Sequence, residues 1–439
     1  MRITHLSLRG YYGFRELELP FPEHGPTVLI GKNGAGKSTV LDAIAMFLAH
    51  FAALATSPPK RHKRGMSLDL PIALEEVNDN EVHSRDTAAR VLALFQSGDE
   101  RYVARAVFGN PRQDLDPLLA NTPLDELVYE GLLSPLLDDR NAPVPVLAYY
   151  RPNRGVGLEL GKQAKAPLYP QLAAYRRAFD VQVGPFQEFV RWFRVMEDQE
   201  NEERLRSDPR FRNPRLSAVR SAIERFLSAL GPSDFHDLRV VRRVDLNTGD
   251  ERAAQIVIGK DDSSLPLDHL SDGERAVLLL VADLAMRFVV ANPGAAEPLH
   301  GEGVVLIDEL ELHLHPAWQR RLLPSLGEVF PGCQFIATTH SPQVLSTLKP
   351  ESVVILESFR RVEVTPPIYG RDTNAILRDA MGTSPRPQQA AEKLDAVARL
   401  IDAENFAEAR KALDELSSWL GEEDPEIVRL RTLTHFLEG

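Results

Sequence analysis

Residues 31–39 read GKNGAGKST, after the strand-like run TVLI (Thr27 to Ile30) and before STVLDAIAMFLAHF, whose Val40, Leu41, Ile44 and Leu48 recur at helical spacing. A strand, a glycine-rich loop and a helix therefore follow one another. Gly31, Gly36, Lys37 and Ser38 satisfy the spacing G-x-x-x-x-G-K-[ST]. In such a loop the glycines let backbone N–H groups turn toward phosphate oxygens, Lys37 brings a point charge to the outer phosphates, and the Ser38 hydroxyl can ligate Mg²⁺. Chance alone yields the pattern in a chain this long at a rate of roughly one or two per cent, and the flanking strand and helix lower that further. No other feature constrains the fold as strongly.

Three later segments gain meaning from this loop. About 240 residues on, DHLSDGERA places Ser271 three residues before Glu274, the S-x-x-E pattern of a helix capping box. It caps the apolar run AVLLLVADLAMRFVV, and two readings stand: a helix start alone, or half of a nucleotide site. VVLIDE is an apolar strand ending in Asp308 and Glu309. Acids commonly cap strand ends; after a phosphate loop, the first can help hold Mg²⁺ and the second can orient or deprotonate an attacking water. FIATTH is a strand ending in His340. A lone histidine there is usually structural, but the order of these segments changes the odds, and His340 would then sit near the γ-phosphate. His313 and His315 have H-x-H spacing, which we read as structural.

The rest of the chain alternates strand and helix. LSLRGYYGFRELEL forms a strand pair around GYYG, RVLALFQSGDERYVARAVFG a hairpin turning at Ser97 to Asp99, and VPVLAYY a buried strand. From about 167 to 232 two charged amphipathic helices form an inserted hairpin, too short and too weakly heptad-like for a coiled-coil arm. LRVVRRVDL and AAQIVIG return to strands. After a loop, VTPPIYGRDTNAILRDAMGTSPRP, the chain closes in two or three short helices; Phe406, Ala409, Leu413, Leu416 and Leu420 make one stripe. This stripe serves either self-packing or docking of a partner.

Composition narrows the function classes. The longest apolar stretch, Ala276 to Ala291, is interrupted by Asp283 and Arg287 and is too short to span a bilayer. MRITHLSLRG has no signal architecture, so no membrane association and a cytoplasmic location are expected. One cysteine, Cys333, excludes an intrachain disulfide framework and a CxxC metal site. The net charge of −12 argues against a permanent nucleic-acid coat, although Lys60, Arg61, Lys63 and Arg64, and Arg239, Arg242 and Arg243, form local basic clusters. Residues 391–439 hold 12 acidic and 6 basic side chains, hence −6.

Taken together, these motifs resemble the Walker A, signature, Walker B and switch-histidine elements of ABC-type ATPases, and more narrowly those of the soluble SMC, RecF and RecN branch. The strand pair LSLRGYYGFRELEL and the segment DELELHLHP resemble that branch as well. The helical insert and the tail from YGRDTNAIL look most like the PtuA-type ATPases of Septu anti-phage systems and their relatives beside retrons. The resemblance implies an α/β fold: a P-loop NTPase head of ABC type over residues 1–385, with a mixed, largely parallel sheet, an antiparallel subdomain and the inserted hairpin, then a helical partner-docking tail over 386–439. It implies that Gly31, Lys32, Asn33, Gly34, Ala35, Gly36, Lys37, Ser38 and Thr39 bind ATP; that Ser38 and Asp308 hold Mg²⁺; and that Lys37, Glu309 and His340 are catalytic. Ser271, Asp272, Gly273 and Glu274 would meet the ATP of a second subunit, making a homodimer or higher oligomer.

The implied function is a nucleotide-gated ATPase regulating an HNH nuclease on another polypeptide, with DNA or RNA as a further partner. The alternatives are a RecF-like repair ATPase acting directly on DNA, and a nucleotide-binding scaffold with little hydrolysis. Three positions and one segment depart from the pattern. Tyr12 stands where a basic residue is common, Asp272 replaces a signature glycine, Leu310 replaces a proline, and no Gln-loop is evident, YYRPNR standing roughly in its place with Asn153 or Arg154 as the substitute. The 99 residues after His340 contain no D-x-D triplet, as a Toprim nuclease domain of the overcoming-lysogenization-defect type would require.

Overall fold

A computed structural model describes residues 1–56, 88–109, 127–152, 170–180, 186–242, 255–363 and 368–438. Lys60, Arg61, Lys63, Arg64, Asn153, Arg154 and Arg243 lie outside the described residues. The chain divides into two compact units, Met1–Arg371 and Asp372–Gly439.

The first unit is organised by a six-stranded sheet. In chain order its strands are β3 (Thr27–Ile30), β6 (Val146–Tyr150), β10 (Gly303–Ile307), β11 (Cys333–Thr338), β12 (Val353–Glu357) and β13 (Arg360–Val362); in space the order is β13-β12-β3-β11-β10-β6. All neighbours pair in parallel except β12 with β13. Every residue of β3, β6 and β10 is buried, which is why these segments read as unbroken apolar runs rather than alternating ones. A second sheet, antiparallel, orders β1 (Arg2–Tyr11), β2 (Phe14–Pro20), β4 (Ala88–Ser97) and β5 (Glu100–Gly109) as β2-β1-β4-β5. A third joins β7 (Phe235–Val241), β8 (Gln255–Lys260) and β9 (Ser263–Pro266).

The loop helix Lys37–Thr56 packs against β6 and β11 of the first sheet and β4 of the second. By length and composition this helix could cross a membrane, but 72% of its most apolar window is buried in the protein, as a core helix requires. The hairpin helices Phe186–Arg206 and Pro214–Leu230 both pack on the helix Asp272–Ala291. Their polar groups are matched inside. Glu200, fully buried, accepts from Arg204 at 2.6 Å, Arg220 at 3.0 Å and the Asn213 N–H at 2.7 Å. Glu197 accepts from Arg220 at 2.9 Å and the Val240 N–H at 2.6 Å, which ties the hairpin to β7.

Asp283 and Arg287, which interrupt the apolar run in sequence, do not reach water. Both are fully buried and paired at 2.7 Å; the Tyr150 hydroxyl donates to Asp283 at 2.7 Å, and Arg287 donates to the carbonyls of Ala174 and Arg176. A buried ion pair is tolerable only when its remaining hydrogen-bonding capacity is filled in this way.

In the second unit, helices Gln388–Asp402, Phe406–Leu420 and Pro425–Leu437 close around Leu394, Val397, Ile401, Leu413, Leu416, Ile427 and Leu430. The stripe read from sequence faces this core at Ala409, Leu413 and Leu416, with Phe406 and Leu420 packed at its edge. The segment read as a loop contains a further helix, Thr373–Asp379. Asp372 caps it by accepting from the N–H groups of Asn374 and Ala375, and Ile376 is its one buried residue, too little for a helical period to show.

Candidate functional site

The site forms where three neighbouring parallel strands end. β3 runs into the glycine loop, β11 into Thr339 and His340, and β10 into Asp308 and Glu309, with Ile307 level with Ala337 and Thr338 level with Leu29. In open parallel sheets this carboxyl edge is where ligands bind.

The loop depends on its glycines. Gly31, Gly34 and Gly36 have φ of 149°, 77° and 98°, a region glycine alone adopts at little cost. A Cβ at Gly31 would stand 2.1 Å from the Leu356 carbonyl oxygen, whereas at Gly34 it would meet nothing within 4 Å. The loop is thus pressed against β12 behind and open in front. The buried Lys37 ammonium donates to the carbonyls of Gly31 at 2.9 Å and Lys32 at 3.2 Å, so the loop curls around its own lysine. Burial holds the Lys37 pKa below its usual value, against the pull of Asp308, Glu311 and Glu309.

The acidic wall is held from both sides. Asp308 is buried; its N–H donates to the Tyr150 carbonyl at 2.8 Å, and its carboxylate accepts from the Thr338 hydroxyl. The same hydroxyl accepts from the Glu309 N–H at 2.8 Å. Glu309 has a φ of 49°, a conformation that costs a non-glycine residue about 1–3 kcal/mol. Glu311 accepts from the Thr339 hydroxyl at 2.6 Å and the His340 N–H at 2.5 Å, fixing the backbone that presents the histidine. Sequence reading missed Glu311 and Thr338, whose roles depend on strand neighbours.

His340 has a lowered pKa, first because it is partly buried and then because Lys37 is near; Glu311, Glu309 and Asp308 act the other way. A lowered value means that the ring stays neutral until the pH falls below the ordinary 6.5. An NMR titration of the nucleotide-free protein, assigned with His340→Gln, is expected to find its midpoint below that value. A midpoint above it would mean that the carboxylates dominate its surroundings.

The resulting cleft has a volume of about 310 Å³. Nine of the residues singled out above line it: Asn33, Gly34, Gly36, Lys37, Ser38, Thr39, Asp308, Glu309 and His340, joined by Thr338 and Phe359. Gly31 and Lys32 turn their carbonyls to Lys37, and Ala35 is buried in the loop. A glycine-rich loop with an ammonium, a hydroxyl and a carboxylate beside it is a set of groups that suits a triphosphate with a divalent cation. At the end of β6, Arg151 pairs with Asp42 of the loop helix at 2.9 Å and lies 4.4 Å over the Tyr149 ring.

Ser271, Asp272, Gly273 and Glu274 do not line this cleft. The capping box is formed: Ser271 Oγ accepts from the Glu274 N–H at 3.3 Å, and the Ser271 N–H donates to Glu274 at 3.0 Å. Lys260 donates to Glu274 at 2.6 Å. Burial would raise the Glu274 pKa, but the Lys260 and Ser271 bonds outweigh it and hold it low. Gly273 is required by a close approach, since a Cβ there would stand 2.4 Å from the His313 carbonyl oxygen. His313 has a φ of 64°, and the His315 ring accepts from the Ala317 N–H at 3.2 Å, capping the helix Pro316–Val329.

Two family models match the chain. One described as "AAA domain" covers residues 5–127, which include the glycine loop, and one described as "AAA domain, putative AbiEii toxin, Type IV TA system" covers 191–346, which include Ser271, Asp308, Glu309 and His340. The chain is 26% identical to "Retron Ec83 probable ATPase" of Escherichia coli, over 98% of this chain and 86% of that one. It is 25% identical to "Retron Vc95 probable ATPase" of Vibrio cholerae, over 92% and 83%. It is 33% identical to "Septu protein PtuA" of Bacillus mycoides, over 34% of this chain and 21% of that one. Among solved structures it is similar to an SMC head bound to the C-terminal winged-helix domain of ScpA, at 18% identity over 84% of this chain and 98% of that one, with a TM-score of 0.44. The resemblance read from the motifs is met again in these relatives.

Proposed function

We propose that this chain is a Mg²⁺-dependent ATPase that serves as the nucleotide-gated sensor or regulatory subunit of a prokaryotic anti-phage defence complex and controls an HNH-type nuclease on another polypeptide. The convergence of Lys37, Ser38, Asp308, Glu309 and His340 on one cleft, from three strand ends far apart in sequence, carries the ATPase part of the reading. The retron and Septu relatives support its defence context.

On this reading the loop N–H groups and Lys37 bind the outer phosphates of ATP, and Ser38 and Asp308 hold Mg²⁺. When bound, the cation neutralises phosphate charge that would otherwise repel the attacking oxygen. Glu309 orients a water in line with the γ-phosphate and takes its proton. Neutral His340, its backbone fixed by Glu311, hydrogen-bonds the γ-phosphate or that water. Ser271 and the start of its helix are offered to the ATP of a second copy, so the working unit is a homodimer with composite sites. The second compact unit, residues 386–439 above all, docks the nuclease.

Capture of the tagged full chain from its native host, followed by mass spectrometry, tests the partner. An HNH protein is expected to co-elute and to be lost when residues 386–439 are removed. Tight, ATP-dependent, salt-sensitive binding of duplex DNA by the isolated protein, with no nuclease partner, would instead make it a RecF-like DNA ATPase. Stable retention of unhydrolysed ATP by the wild type would make it a scaffold.

A further inference from the structure

Phe359 reaches the cleft from the turn between β12 and β13, a stretch that no motif marks. Ser358 and Phe359 form that turn with φ of 47° and 60°, so two successive residues stand in the left-handed region. Hairpin turns of this kind favour Asn-Gly or Asp-Gly, which take positive φ with little strain; serine and phenylalanine do not.

The strain places a ring. A Cβ on Gly13 would stand 2.4 Å from the Phe359 ring, and one on Gly36 would stand 2.8 Å from it. Phe14 meets the same ring edge-on, with centroids 5.2 Å apart. The turn between β1 and β2 and the phosphate loop thus each lack a side chain where the ring lies against them. Phe359 is half-buried and, among the described residues, brings the one apolar aromatic ring to the cleft lining, His340 being a polar imidazole. Every other side chain there is polar or absent, suited to phosphate, cation or water. A nucleotide also carries a flat base, and an aromatic face is the partner such a base takes most readily.

We propose that Phe359 is the platform on which the base of the bound nucleotide stacks. The inference rests on the reading of the cleft as an ATP site and adds the base-binding residue to it. Because any base presents a π-face, the ring separates nucleotides from bare polyphosphate rather than adenine from guanine.

Equilibrium binding of ATP, GTP and inorganic tripolyphosphate, each with Mg²⁺, tests it in the full chain. Phe359→Ala and Phe359→Leu are expected to weaken ATP and GTP about tenfold, to leave tripolyphosphate within about twofold of wild type, and Phe359→Tyr to restore nucleotide affinity. Unchanged ATP affinity in Phe359→Ala, an equal loss of tripolyphosphate, or full rescue by leucine would each overturn the proposal and leave the ring as packing for the loop. A wild-type chain that bound neither ATP nor tripolyphosphate would remove the ATP-site reading itself, an outcome distinct from these.

Discussion

Glu309→Gln is expected to slow ATP turnover at least ~100-fold, the usual scale of a lost general base, while ATP affinity stays near that of the wild type. Glutamine keeps the length, the shape and the hydrogen-bonding reach of glutamate but cannot take a proton from water. The backbone is not expected to relax, because the Glu309 N–H is held by Thr338 Oγ1 at 2.8 Å and the Leu310 N–H donates to the Thr338 carbonyl at 3.0 Å. These bonds maintain the strained φ of 49°, and strain of this kind persists where the surroundings over-determine it. The substitution therefore isolates the chemistry of one carboxyl group. Steady-state phosphate release and calorimetric ATP binding, measured on the same preparation, decide the matter. Turnover near that of the wild type would remove Glu309 from the chemical step. Loss of ATP binding as well would assign it to binding.

Ser271→Arg is expected to abolish ATP-induced dimerisation and to leave ATP binding by the monomer intact. Ser271 and Asp272 are exposed at the start of a 20-residue helix and outside the cleft of their own subunit. A helix N-terminus carries free N–H groups and partial positive charge, which favour a phosphate brought to it from outside. An arginine would block that approach, but it would also remove an N-cap worth about 1 kcal/mol. Ser271→Asp separates the two effects. Aspartate caps helices as well as serine and sets a negative charge where the γ-phosphate of the second copy would arrive. Both variants are therefore expected to stay monomeric by light scattering with ATP, best measured in the Glu309→Gln background, where ATP is not consumed. Normal dimerisation of Ser271→Asp, or loss of ATP binding by the monomer, would leave Ser271 a structural cap alone.

The features legible in the amino-acid order are those whose cause is local. The strand, loop and helix around Gly31–Thr39, the hairpin turning at Ser97–Asp99, the capping box from Ser271 to Glu274 and the stripe Ala409, Leu413 and Leu416 each arise from hydrogen bonds or burial within a few turns of chain. Side-chain periodicity and capping chemistry write such causes directly into residue spacing. The motif order adds a resemblance, and with it an expected site.

Placement within the sheet has no such local cause. Nothing near VVLIDE states that β10 lies beside β11, or that β3 is wedged between β11 and β12, yet that order brings Lys37, Glu309 and His340 to one edge. Asp283 and Arg287 look like surface charges until the pairing of Tyr150 and the carbonyls of Ala174 and Arg176 encloses them. Glu311 becomes the clamp of His340, and Phe359 the wall of the cleft, through neighbours 29 residues away in one case and more than three hundred in the other. Distant segments associate by burying whichever surfaces fit together, a collective choice that no short window of sequence encodes. The residue types for this chemistry are present in the chain's own order; bringing them within bonding distance is the work of long-range packing.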